Sequence, residues 1–350
     1  MNNLFIIGNG FDLAHNLKTS YENFIRYLIE SNSEKIKHNR IFNSQMILSL
    51  DDIKKFPYHE ENDFINISNI FFRKLLIDIS LKKWCDIEEK YYELLKLKDP
   101  KDYNEMDNNF PKNLNDEFEI IKKYLSEYLS NQENTASKIS AYAEMFKLLD
   151  NRGILILNFN YTNTLQHLYK KEIIHGKIIH MHGQLHESTN PMVFGYAASE
   201  EESRELINRN NKEYMRNIKK HLYKRTDNQS QLINYLENNK NINVFILGHS
   251  CGLSDKLILN QIFTHKNIQN IRVFYYEEDE QYFQTLVNID RIMNDDEIFK
   301  NKFINFKDSH RMPQYTDNQT QNTNFIKYIQ NIKNIQLSQE KKIDLTNVFH

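Results

Sequence analysis

The stretch Asn3-Leu4-Phe5-Ile6-Ile7-Gly8-Asn9-Gly10-Phe11-Asp12-Leu13-Ala14-His15 decides the fold. Its first five residues are an apolar run of strand type, Gly8-Asn9-Gly10 stops that run, and Phe11 to His15 opens a helical pattern. Strand, glycine turn and helix follow one another without a spacer. Two glycines let the backbone approach a ligand closely, and the N–H groups of a helix start favour an anion, usually a phosphate. The third glycine of the dinucleotide fingerprint is missing, with Leu13 and Ala14 in that region. Taken alone, the loop is equally an ordinary tight β-α turn and a phosphate cradle.

With 350 residues the chain is long enough for one large domain or two. A formal net charge of −2 gives no global electrostatic reason to expect nucleic acid or an anionic membrane. The one locally basic stretch, Lys212, Arg216, Lys219, Lys220, Lys224 and Arg225, has the spacing of a solvated helix face. Only two cysteines occur, Cys85 and Cys251, so neither a disulfide framework nor a four-cysteine zinc ribbon can be built. No apolar run approaches the ~18 residues of a membrane span, and no signal segment opens the chain. The expectation is a soluble cytoplasmic protein. Glycine is scarce, with eight in all, and Gly8, Gly10, Gly183, Gly195, Gly248 and Gly252 fall at or just after the ends of apolar runs.

Between Gly10 and Gly153 the pattern is helical. Thr19 or Ser20 can cap a helix carrying Tyr21, Phe24, Tyr27 and Leu28. Phe64, Ile67, Phe71 and Leu75, then Trp84, Ile87, Tyr91 and Leu94, recur at helical spacing, as do Phe118, Ile121 and Leu125. Short apolar runs return at Ile154-Leu155-Ile156-Leu157, Lys177-Ile178-Ile179-His180, Met192-Val193-Phe194-Gly195, Val244-Phe245-Ile246-Leu247 and Ile271-Arg272-Val273-Phe274-Tyr275, with a further candidate strand near Phe303-Ile304-Asn305-Phe306. Continuous apolar runs of this length suit strands buried on both faces. The expected fold class is α/β, a parallel Rossmann-like sheet with helices on both faces and a large helical insertion. Residues 1–30 with 151–310 form the expected sheet domain, 31–150 the helical insertion or cap, and 311–350 a C-terminal helical tail.

In such sheets ligands gather at the carboxyl ends of the strands. Four strand ends carry polar clusters: Gly8-Asn9-Gly10-Phe11-Asp12, Asn158-Phe159-Asn160-Tyr161, His180-Met181-His182-Gly183 and Gly248-His249-Ser250. Together with Leu17-Lys18-Thr19-Ser20-Tyr21 and Trp84-Cys85-Asp86-Ile87-Glu88, these segments resemble the abortive infection AbiH family of bacterial anti-phage defence. The family's usual Gly-Leu-Pro before Thr-Ser-Tyr is Asn16-Leu17-Lys18 here. AbiH proteins are in turn similar to the sirtuin-like NAD-binding fold. That resemblance implies NAD as substrate or ligand, with Gly8 and Gly10 at the pyrophosphate, Asn160 near the nicotinamide ribose, His182 as the catalytic histidine, and Gly248 with Ser250 at the adenosine ribose. Asn9, Phe11, Tyr161, Gly183 and His249 complete the expected nucleotide contacts. The cysteine-bound zinc of protein deacetylases has no counterpart, so cleavage of NAD+ is implied and no metal is expected. Candidate partners are a second copy of the chain or another defence protein, with no membrane or nucleic acid expected.

The residue types suit that chemistry. A neutral imidazole can take a proton from a ribose hydroxyl or an attacking water. A side-chain amide can orient either one, and Asp12 can steady the developing positive charge. Each residue also has a plainer role: Asn158 and Asn160 can bond their own backbone in a turn, and Asp86 and Glu88 can edge a pocket or only cap a helix. His175, His180, His182 and His186 raise a metal reading, but no carboxylate motif accompanies them. Two other functions stay open. One is a non-catalytic nucleotide sensor or toxin-complex subunit; the other is a serine hydrolase with Gly248-His249-Ser250-Cys251-Gly252 as nucleophile elbow, followed in order by Asp279 and His310.

Overall fold

The computed structural model describes residues 2–35, 41–42, 49–55, 67–82, 86–97, 109–149, 154–276, 280–293 and 295–348. Trp84, Cys85, Gly153, Phe64 and Asp279 lie outside the described residues. Five strands, β1 (Asn2–Ile7), β2 (Ile154–Asn158), β3 (Lys177–His180), β4 (Ile242–Leu247) and β5 (Ile268–Phe274), form one sheet in the order β3-β2-β1-β4-β5. All pairings are parallel. The opening stretch is thus the central strand, with Leu4 opposite Leu155 on one side and Val244 on the other. This explains its unbroken apolar character: both faces are covered and no position is left for alternation.

After β1 the chain adds strands outward through β2 and β3, then crosses back to β4 on the other side of β1. The switch between the two directions falls between β1 and β4, where ligands of doubly wound sheets bind. One face of the sheet presents Phe5, Ile7, Ile156, Phe245, Leu247 and Phe274 to Tyr142, Phe146, Tyr169, Phe325, Ile329 and Ile332. Phe5 stacks on Phe245 at 5.0 Å and meets the edge of Phe146. On the other face, helix Asn228–Asn238 reaches β1 through the Tyr235 hydroxyl, which donates to the Asn3 carbonyl at 2.9 Å, and helix Lys256–Phe263 packs on β5.

The chain divides into two compact units, Met1–Leu17, Glu133–Val193 and Tyr223–His350 in one, Lys18–Gln132 and Phe194–Leu222 in the other. These are not the linear segments expected. Helix Ser140–Leu149, assigned from its sequence to the cap, supplies Tyr142, Met145 and Phe146 to the sheet's core. Helix Gln319–Val348, within the segment expected as a C-terminal tail, buries Phe325, Ile329 and Ile332 in that core. In the helical unit, Phe118 stacks between Tyr91 at 4.0 Å and Phe194 at 4.7 Å. Met192–Gly195 is accordingly no strand: Phe194 is buried by aromatic partners, not by a sheet. Near 303–306 a single bridge joins Phe303 to Ile271 before a short 3-10 turn, Phe306–Asp308.

Lys212, Arg216, Lys224 and Arg225 of the basic stretch are exposed as expected, and Lys219 departs from that face. Lys219 is 1% exposed, and its Nζ lies 3.1 Å from Glu88 Oε2, whose Oε1 accepts the Gly195 N–H at 2.8 Å. Asp86 caps helix Ile87–Lys96 by accepting the Glu88 and Glu89 N–H groups. Ser20 accepts the Asn23 N–H at the start of helix Tyr21–Lys35. Asn16, where the resemblance leads one to expect glycine, takes φ +69, a left-handed conformation that asparagine tolerates better than most residues.

Candidate functional site

All four polar strand ends lie in the sheet unit. The loops after β1 and β4 touch backbone to backbone at the switch point: Gly8 N–H donates to the Leu247 carbonyl at 3.1 Å and Gly10 N–H to the Gly248 carbonyl at 2.8 Å. A Cβ on Gly10 would lie 2.7 Å from the Gly248 Cα. Gly248 itself sits at φ +65 with a Cβ position 2.4 Å from the Phe11 nitrogen. The glycines are needed for this contact. Phe11 N–H is also taken, by the Gly8 carbonyl at 2.9 Å, so three N–H groups of the expected cradle already serve protein acceptors. Helix Asn9–Ala14 that follows is only six residues long.

Asp12 is 1% exposed and points to the loop after β2. Its Oδ2 accepts the Thr162 hydroxyl at 2.5 Å, Thr164 donates to Thr162 at 3.2 Å, and Asp12 Oδ1 has no hydrogen-bond partner among the described residues. Burial pushes its carboxyl up to about 6, against the hydroxyl and amide donors around it. Asn158 Oδ1 accepts the Asn160 N–H at 3.0 Å, the turn that its sequence suggests, and Asn160 Nδ2 crosses to the Gly8 carbonyl at 3.1 Å. The first and second strand ends are therefore tied by Asn160 and Asp12 together.

At the third strand end, His182 Nε2 lies 2.8 Å from Asp255 Oδ1. The other carboxylate oxygen, Oδ2, is 3.4 Å from His249 Nε2. Cys251 N–H donates to His249 Nδ1 at 2.9 Å, which fixes the His249 proton on Nε2, facing the carboxylate. All three side chains are buried. Phe159 meets both imidazoles edge-on, at 5.0 Å from His182 and 4.5 Å from His249. Sequence reasoning missed Asp255, taking it only for a helix start; its place three residues after Gly252 is the sole local signal.

The remaining candidates separate. Tyr161 stays near His182, ring to ring at 6.1 Å, its hydroxyl donating to the Val193 carbonyl. Gly183 turns the chain at φ +80 immediately after His182, and Asn9 is exposed. Phe11 is not at the surface: it is fully buried against His15 and Tyr142. His180 donates from Nδ1 to the Asn160 carbonyl at 3.2 Å and meets Gln166 at Nε2; burial pushes it down to about 4, so it is neutral. Ser250 is exposed, and Asn288 binds its carbonyl at 2.9 Å. His310 packs instead on Phe325 and Tyr328. In a nucleophile elbow the serine itself is strained, whereas here the positive φ, +52, belongs to Cys251. Burial pushes the Cys251 thiol far up, away from thiolate chemistry. Among the described residues, no group of three or more His, Cys, Asp or Glu side chains could hold a metal ion.

A family model described as bacteriophage abortive infection AbiH matches residues 4–277, which spans every strand end described above. The chain belongs to the AbiH family. Anti-phage abortive infection is the function class that membership gives it. No curated protein matches the chain, and no solved structure does. Among the described residues of this AbiH protein, no helix is long and apolar enough to cross a membrane.

Proposed function

We propose that this AbiH protein is a triggered NAD+ glycohydrolase of sirtuin-like architecture, with His182 as the general base. The observation that carries the reading is the His182–Asp255 hydrogen bond at the carboxyl end of β3, 2.8 Å long and buried. A carboxylate that accepts the Nε2 proton puts the imidazole lone pair on Nδ1, the form a base requires.

Cleavage breaks the bond between the ribose C1′ and the nicotinamide nitrogen, which keeps the electron pair and becomes neutral. Water attacks the oxocarbenium-like carbon, its proton passes to His182 Nδ1 and then to solvent, and ADP-ribose and nicotinamide leave. Asn160 lies on the neighbouring strand end and orients the ribose or the water. Asp12 is too deeply buried to touch the sugar, so we assign it to holding the Asn160 loop through Thr162. With the Gly8, Gly10 and Phe11 N–H groups occupied, the pyrophosphate is met by other donors, and the glycines shape the floor beneath it.

The test is nicotinamide release from NAD+ by the purified protein with phage-infected lysate as trigger, for wild type, His182→Ala, Asn160→Ala and Ser250→Ala. The reading expects release by wild type and Ser250→Ala, and loss on the order of 10²-fold or more in His182→Ala. Stabilisation by NAD+ without turnover would favour a nucleotide sensor. Ester hydrolysis lost only in Ser250→Ala would favour the hydrolase.

A further inference from the structure

We propose that Asp255 is the positioning residue that sets the tautomer and basicity of His182, and that His249 serves as the second support of Asp255. The proposal rests on the reading of His182 as the base.

Asp255 occupies the N-cap position of helix Lys256–Phe263 yet makes no side-chain cap hydrogen bond. An aspartate there ordinarily accepts a backbone N–H. This one turns both oxygens to imidazoles instead, Oδ1 to His182 and Oδ2 to His249. The chain holding it is directional. Cys251 N–H points at His249 Nδ1, and that orientation uses a left-handed backbone at φ +52, unfavourable for a residue with a Cβ. His249 then carries its proton on Nε2 and presents it to Asp255, which fixes the carboxylate plane for His182. Burial of all three groups keeps water from competing for the carboxylate. When His182 takes a proton at Nδ1, the resulting imidazolium faces a charge of opposite sign, which favours it. Among the described residues, the titratable groups facing the imidazole include Asp255 from the turn before the helix, Tyr161 from the loop after β2, and Tyr223, whose ring lies 6.3 Å away, with His249 and Cys251 from the loop after β4 behind Asp255. Asp255 is the acid among them that touches His182.

The test uses the full chain labelled with 15N-histidine, with the His182 signals assigned by their absence in His182→Gln. Wild-type His182 is expected as the Nε2–H tautomer when neutral, a measurement that needs no further variant. Asp255→Asn is expected to lower the His182 titration midpoint by about one pH unit or more, and His249→Gln to lower it by less. A wild-type Nδ1–H tautomer, or an unchanged midpoint in folded Asp255→Asn, would overturn the proposal. Nicotinamide release measured in parallel with phage-infected lysate as trigger separates the two ideas: a wild type silent under that trigger, with the expected tautomer and midpoint, contradicts only the cleavage reading.

Discussion

His182 Nε2 and Asp255 Oδ1 meet at 2.8 Å across 73 residues of sequence, joining the end of β3 to the turn that opens helix Lys256–Phe263. The partnership is unequal. Without His182 the carboxylate keeps His249, whereas without Asp255 two buried imidazole donors lose their acceptor. His182→Gln, which retains a donor, is expected to cost no more than about 1 kcal/mol of stability. Asp255→Leu is expected to cost about 2–5 kcal/mol. Chemical denaturation of the two variants checks the order, and a costlier His182→Gln would contradict it.

The glycines of the switch point give a sharp contrast. Gly248→Ala combines a left-handed φ with a Cβ 2.4 Å from the Phe11 nitrogen, while a Cβ on Gly252 meets nothing nearer than 3.7 Å. The first variant is expected to lose at least about 2 kcal/mol and the second to stay within about 0.5 kcal/mol. Thermal melts of both variants decide, and equal melting temperatures would remove the close-packed loop contact from the account.

The pH dependence of stability has two opposed parts. Burial pushes His15 and His180 down to about 4 from 6.5, so their neutral forms stabilise the fold above pH 6.5, and that contribution is lost as pH falls toward 4. Asp12, pushed up from 3.8 to about 6, acts the other way: its contribution is full below 3.8 and is lost as pH rises through 6. Asp12→Asn, still able to accept from Thr162, is therefore expected to raise the melting temperature at pH 7 and not at pH 4. An equal gain at both values would show that Asp12 does not titrate as its burial requires.

In the helical unit the Glu88–Lys219 pair is a buried charge pair that Gly195 N–H completes. Lys219→Met leaves Glu88 uncompensated and is expected to cost about 3–5 kcal/mol, much of it recovered in the Glu88→Gln, Lys219→Met double variant. A double-mutant cycle by denaturation measures this, and additive losses would contradict it.

The middle of the sheet was legible because β1, β2 and β4 carry continuous apolar runs that end at glycine or asparagine, and each of the four polar strand ends carries a residue with a long-range partner: Asp12, Asn160, His182 and His249. What escaped depends on partners distant in sequence. Phe194 looks like strand until Phe118 is known to stack on it, since a short apolar run does not declare its element. Lys219 looks solvated until Glu88 arrives from 131 residues away. Helix Gln319–Val348 looks like a tail because its buried Phe325, Ile329 and Ile332 form a thin stripe amid polar residues. Asp255 has the residue type and position of an ordinary cap, and only the direction of its side chain reveals the two histidines.

The central claim is that this strand-end site consumes NAD+ during abortive infection, and phage-infected cells supply the trigger. The measurement is intracellular NAD+ and ADP-ribose after infection of cells carrying wild type or His182→Ala at matched protein levels. The account expects NAD+ to collapse and ADP-ribose to rise with wild type, and neither to change with His182→Ala, which also loses protection. Infection aborted by wild type while NAD+ stays intact would contradict it.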